Sequence, residues 1–330
     1  MKRLALSVGG VLLLAAALVF FVPSLRQSIL GIALPLNLQE GRAEPIHIVS
    51  MLLKAREVRG LSSQPNFTMD DTVTPDVYDL ALGCVEKTER TGADPVIAYL
   101  INEENLAQIG VKKSGSLLNN VFSMRLGRGG VIENFLMIKG QESPIVDEVR
   151  MGQMLAPLWI VRPDKRVTVG EVWSGRWSIA YPVDTLDKAK INLEHRLNYH
   201  IARIFSQKDM ELAVVDYEGS ITLTPQKPLP SNVELVGEGH IKGEAWLNLK
   251  SGQVILADDR TALGYAVRFL EEKTEDLRLF DRKSRIFRPS VMPNAGDNFT
   301  SAMPKDGQAP QINDISDKEP TANSSTSVNR

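Results

Sequence analysis

The sequence predicts a mainly β (α+β) protein: a curved antiparallel sheet or half-barrel with one or two helices, behind an N-terminal transmembrane helix. Three observations carry that prediction. In "KINLEHRLNYHIARIF" the residues Ile191, Leu193, Leu197, Tyr199, Ile201 and Phe205 form one face, and Asn192, Glu194, Arg196, Asn198 and His200 the other. A helix cannot hold that two-residue period, whereas a strand with one wet side can. Turn signals separate further alternating runs. Finally, an unbroken apolar stretch from Leu4 to Val22 follows Lys2 and Arg3.

That first stretch, at about 1.5 Å rise per residue, spans roughly 28 Å, enough to cross a hydrocarbon core. No small-x-small cleavage site follows it, so residues 1–24 are read as an uncleaved signal anchor, with a cleaved signal peptide as the alternative. Lys2 and Arg3 favour a cytoplasmic N-terminus, which places the bulk of the chain in a bacterial periplasm or cell envelope. Residues 25–60 are expected to form a juxtamembrane helix and linker. Pro45 suits a first helical turn, Ile48, Met51, Leu52 and Ala55 share a helical face, and Gly60 is a stop.

From 61 to 289 the chain reads as a β-rich extracytoplasmic domain, either one unit or two halves, 61–160 and 161–289. "VYDLALGCVEKT" and "DPVIAYLIN" are strands, and "FSMRLGRGGVIENFLMI" is a hairpin about Gly129-Gly130. "SPIVDEVRMGQMLAPLW" reads as a helix capped by Ser143 and ended by Pro157. "MELAVVDYEGSITLT" is expected to turn at Glu218-Gly219, and "LKSGQ" to turn into "VILAD", with "ALGYAVRFL" as a further strand. "LRLFDRKSRIFRP" reads as an edge strand protected by its charges, with contact to lipid headgroups or an acidic partner as the alternative. Residues 290–330, rich in Ser, Thr, Asn, Asp and Pro, are read as a disordered tail.

The run "VELVGEGHIKGEAWLNLKSGQ" places Gly237, Gly239 and Gly243 on its apolar face, where core side chains belong. Glycine inside a strand marks a bend, a bulge or a close approach. Either the gaps let the sheet coil and receive aromatics such as Trp159, Trp173 and Trp177, or they open a pocket for an apolar ligand. On the second reading the candidate binding face is Gly237, Gly239, Gly243, Tyr199, Trp173 and Trp177.

Other chemistry finds little footing. A net charge of −2 gives no basic field for nucleic acid. "GEGHIKG" has the wrong spacing for a dinucleotide fingerprint, and neither a phosphate-loop motif nor a nucleophile elbow occurs. His195 and His200 point to opposite faces of one strand; His200 and His240 share the polar face pattern, and two exposed histidines are the plainer reading. No metal, cofactor or catalytic residue is assigned. The single cysteine, Cys84, alternates with apolar neighbours and reads as a small buried hydrophobe.

"VTVGEVWSGRW", the long alternating strand and "GEGHIKGEAWLNLKSGQVILAD" together resemble a broad group of uncharacterised bacterial exported β-rich domains, through Gly170, Trp173, Gly239, Gly243 and Gly252. The resemblance covers roughly 155–270. It implies a shape similar to lipoprotein-carrier-like half-barrels, in which a curved sheet wraps helices around an apolar cavity. The apparent anchor and the scarcity of helices depart from that pattern. The resulting expectation is a membrane-anchored, non-catalytic module that binds an apolar ligand such as a lipid, or an envelope protein. A structural or assembly role is the first alternative, and a hydrolase with dispersed carboxylates the second.

Overall fold

The computed structural model describes residues 31–63, 67–70, 72–108, 117–141, 148–183 and 189–289. The expected anchor, the Ser143 cap and the tail after 289 lie outside them.

Among the described residues, eleven strands form one antiparallel sheet that curls into a nearly closed barrel. The first meander comprises β1 (Ala43–Gly60), β2 (Asp76–Arg90), β3 (Val96–Gln108), β4 (Val121–Leu126) and β5 (Ile132–Lys139). After the helix α1 (Glu148–Leu155) come β6 (Val172–Val183), β7 (Ala189–Gln207), β8 (Met210–Pro225), β9 (Val233–Asn248), β10 (Val254–Phe269) and β11 (Thr274–Phe287). The sheet order is β5-β4-β3-β2-β1-β11-β10-β9-β8-β7-β6, so the last strand pairs with the first and fuses the two meanders. The chain leaves one sheet edge at β5, packs α1 against both edge strands, sends the segment after it into the lumen and re-enters the sheet at the opposite edge, β6.

The two-residue period decides what faces the lumen. Ile46, Ile48 and Leu52 of β1, Leu80, Leu82 and Cys84 of β2, and Ile97, Tyr99 and Ile101 of β3 point inward and are buried. On the other side Ile191, Leu193, Leu197, Tyr199 and Ile201 of β7 do the same. The lumen is filled rather than hollow. Residues Met151, Met154, Leu155, Leu158, Trp159, Ile160 and Val161, from α1 and the segment after it, are buried inside the barrel. Gly152 lets the helix pass between the two edges: a β-carbon there would lie 3.0 Å from Phe135 Cδ1 of β5 and 3.1 Å from Ile179 Cδ1 of β6.

Four expectations are corrected. The helix expected over 45–59 is the strand β1, hydrogen-bonded between β2 and β11. Its residues also satisfy a period of two, and pairing on both sides outweighs a local helical preference. β8 does not turn at Glu218-Gly219 but runs straight through to Pro225. Gly219 is small because the Arg196 carbonyl occupies its β-carbon position. "VILAD" and "ALGYAVRFL" are one continuous strand, β10. The charged run 277–289 belongs mostly to β11, which is interior to the sheet, not an edge. Its charges are paired laterally, Arg285 with Asp258 of β10 and Asp281 with Arg260 of β10.

Candidate functional site

The inner wall of β6 to β9 gathers four of the six sequence-derived site residues around the plug. Trp173 and Tyr199 are cross-strand neighbours stacked at 5.7 Å, and Trp173 Nε1–H donates to the Val161 carbonyl at 2.7 Å. Tyr199 continues the row to Tyr217 at 5.9 Å. Tyr217 in turn lies over Gly243, its ring in the space a β-carbon would take. Trp177 stacks on His195 with ring centroids 3.6 Å apart and planes 9° from parallel. Between these residues and Pro157 remains a cavity of about 10 Å³, the size of one water.

Gly237 and Gly239 sit further along β9, in a second apolar cluster with Leu193, Ile221 and Tyr265. A β-carbon at Gly237 would meet Tyr265 Cβ at 2.6 Å and Leu223 Cδ1 at 3.0 Å. At Gly239 it would meet Leu263 Cδ1 at 3.0 Å and Ile221 Cβ at 3.1 Å. The glycine gaps are thus occupied by side chains of the flanking strands. Where Tyr217 covers Gly243, an aromatic on one strand packs over the glycine of the next, the device that permits strong coiling.

Sequence reasoning missed the polar layer midway along the lumen. Arg282 of β11, Asp259 and Thr261 of β10, and Ser50 and Ser284 of β1 and β11 all point inward and are buried. Arg282 Nη2 donates to Asp259 Oδ2 at 2.5 Å and to Thr261 Oγ1 at 3.0 Å. Among the described residues, Arg282 Nε and Nη1, Asp259 Oδ1 and Tyr217 Oη have no hydrogen-bond partner. Burial raises the Asp259 carboxyl above its ordinary range, against the pull of Arg282, and burial likewise raises the Tyr217 phenol. Alternation was the available signal: Asp259 and Thr261 fall in the same inward register as Leu263 and Tyr265.

His195 is a core residue. Its Nδ1 lies 3.1 Å from the Leu193 carbonyl, which accepts the proton. Burial lowers its pKa to about 3, the Leu193 bond opposing and the Arg282 charge assisting. His200 faces Asp216 and His240 faces Ser220 and Ala262, so the two histidines do not meet. Among the described residues no cluster of His, Cys, Asp or Glu has metal-binding geometry. Cys84 is buried and its thiol is pushed up to about 12 by burial.

Two grooves lie outside the lumen. One, of about 750 Å³, crosses the outer faces of β7 to β11. Its basic wall includes Arg285, bidentate to Asp258 at 2.6 and 2.7 Å, and Arg260, bidentate to Asp281 at 3.1 and 2.8 Å. The other, of about 630 Å³, follows the seam between residues 131–136 of β5 and its entry and 176–180 of β6. Among the described residues β5 pairs only with β4, and β6 only with β7. Each therefore turns one row of backbone N–H and C=O groups toward the seam. Leu136 and Ile138 of β5 are 46% and 61% exposed.

No family model matches this sequence, and no curated protein does. Among solved structures, a BenF-like porin from Pseudomonas fluorescens Pf-5 is similar at 8% identity and a TM-score of 0.16, over 74% of this chain and 99% of that one. A likeness of that size carries no argument about fold or function.

Proposed function

We propose that this chain is a non-catalytic, membrane-anchored binding module of the cell envelope, and that it docks another envelope protein along the β5–β6 seam. One observation carries the reading: the lumen is filled by the buried run 151–161, while two strand edges flank an open groove lined in part by the exposed Leu136, with Ile138 exposed further along β5. An extended segment added to such an edge gains main-chain hydrogen bonds, and the exposed side chains set its specificity. The apolar-ligand reading is weaker, because the glycine gaps are occupied and the space beside Trp177 and Tyr199 amounts to about 10 Å³. The polar layer around Asp259 lies inside a packed core rather than a cleft, which does not favour a hydrolase.

Membrane attachment in this reading belongs to the apolar run Leu4–Val22, not to the barrel wall. The outward positions of β7 to β9 include Glu194, Arg196, Glu218, Glu238 and Lys242, where a lipid-embedded barrel presents an apolar band.

The test is photo-crosslinking of the full chain in bacterial membranes, with a benzophenone residue at Leu136 or Ile138 and a control at His240 on the outer wall. The expected result is a discrete protein adduct from the seam positions alone, lost when the other seam residue becomes Glu. Equal labelling at His240, or none at the seam, sinks the reading. Native mass spectrometry of the same preparation separates out the ligand alternative, which requires a co-purifying apolar molecule.

A further inference from the structure

Ile32 is tied to the barrel: its N–H donates to the Val167 carbonyl at 2.7 Å, and Val167 N–H donates back at 3.0 Å. Val167 belongs to the segment that leads into β6, and that segment ends in two exposed apolar side chains, Val169 and Val172, at 49% and 61%. Val169 stands on a braced loop, and Val172 opens β6. Gly170 N–H donates to the Ile201 carbonyl at 2.9 Å, and the Glu171 carboxylate accepts the Thr168 N–H at 2.9 Å and the Lys165 ammonium at 2.6 Å. Arg166 is exposed beside it.

Only residues 23–30 separate the apolar run from this loop, and so short a segment reaches at most about 30 Å. The strands of the second meander have 12 to 19 residues, so the longest is about 60 Å and spans roughly 45 Å of barrel axis at the usual tilt. The opposite end, where Val58 and Thr274 lie, is therefore beyond the tether, and the end carrying Val169 is within it.

We propose that this end of the barrel is the face apposed to the lipid bilayer, with Val169 and Val172 entering the headgroup region and Arg166 beside them. The proposal rests on the reading of Leu4–Val22 as a membrane anchor. Exposed apolar side chains beside a cation such as Arg166 suit interfacial binding to anionic lipid, while Lys165 is already paired with Glu171. A loop already fixed by its own hydrogen bonds loses little further entropy on docking.

The experiment uses the full chain reconstituted into vesicles of phosphatidylcholine and phosphatidylglycerol. An environment-sensitive fluorophore is attached at Val169→Cys, Val172→Cys or, as control, Val58→Cys, which is 64% exposed at the far end. Cys84, 1% exposed, is not labelled in the folded protein. The expected result is a blue shift and loss of most emission to spin-labelled lipid at 169 and 172, with neither at 58. A chain that floats with the vesicles but shows no lipid quenching at 169 and 172, or equal quenching at 58, overturns the proposal and leaves the anchor intact. A blue shift without lipid quenching overturns it in favour of a protein contact. A chain that fails to float removes the anchor reading and the proposal together.

Discussion

The ring of Tyr217 on β8 occupies the place in front of Gly243 on β9 that a β-carbon would fill. The glycine is therefore part of the aromatic packing, and the pair allows the sheet to coil at that point. Substituting Gly243 by Ala forces Tyr217 and the Asp258 carbonyl, 2.5 Å from the new methyl, to shift, at a cost of about 1–3 kcal/mol. A double-mutant cycle with Tyr217→Leu tests the coupling: urea unfolding should show the second substitution recovering part of the loss. Additive losses would mean that the ring and the glycine are independent.

The Asp259–Arg282 pair predicts an asymmetric response. Asp259→Ala leaves a buried guanidinium bound only through Thr261 and should cost about 3–5 kcal/mol. Replacing both partners by apolar residues, Asp259→Leu with Arg282→Met, removes the desolvated charges together and should lie within about 1–2 kcal/mol of wild type. Denaturant midpoints of the single and double variants decide it.

His195 predicts acid sensitivity. Its folded pKa of about 3 lies below the unfolded value, which is about 6.5. Between those values the unfolded chain binds the extra proton, so stability rises with pH through that window and is level above it. The full effect is on the order of 5 kcal/mol. Asp259 acts in the opposite sense, because its raised pKa makes the native state hold a proton more tightly. Melting curves of wild type and His195→Phe from about pH 7 to about pH 4 separate the two, and the variant should lose less on acidification. Parallel curves would refute the assignment.

Arg162 predicts how firmly the plug is held. Its guanidinium donates to the carbonyls of Ile160 at 2.9 Å, Gly252 at 2.7 Å and Pro35 at 3.3 Å, joining the plug to the β9–β10 turn and the entry segment. Burial lowers its pKa to about 10, still cationic at neutral pH. Arg162→Met abandons three acceptors, two of them buried, and should cost about 3 kcal/mol or more. Hydrogen exchange should speed up over 151–161 before the sheet as a whole. Uniform acceleration would mean that plug and wall unfold as one.

Most of the wall was legible in the sequence because alternation is a local property. β7 and the inward row of β9 could be read off one residue at a time, and Cys84 fell on the buried side as its neighbours required. What local pattern could not decide was anything that depends on a partner. β1 satisfied both a helical and an extended period, and only hydrogen bonding to β2 and β11 made it a strand. The charges of β11 looked like edge protection until Asp258, Asp259 and Asp281 were seen to be matched across strands. Gly219 reads as a turn in isolation and as a close backbone contact only beside Arg196. The lumen is the clearest case. Local pattern puts glycines and aromatics on one face; whether that face encloses a ligand space or a packed core depended on where the chain between β5 and β6 ran. Tertiary structure sent it through the middle, because the buried run from Met151 to Val161 could leave water only there. That choice filled the barrel and left the β5 and β6 edges facing each other across the seam.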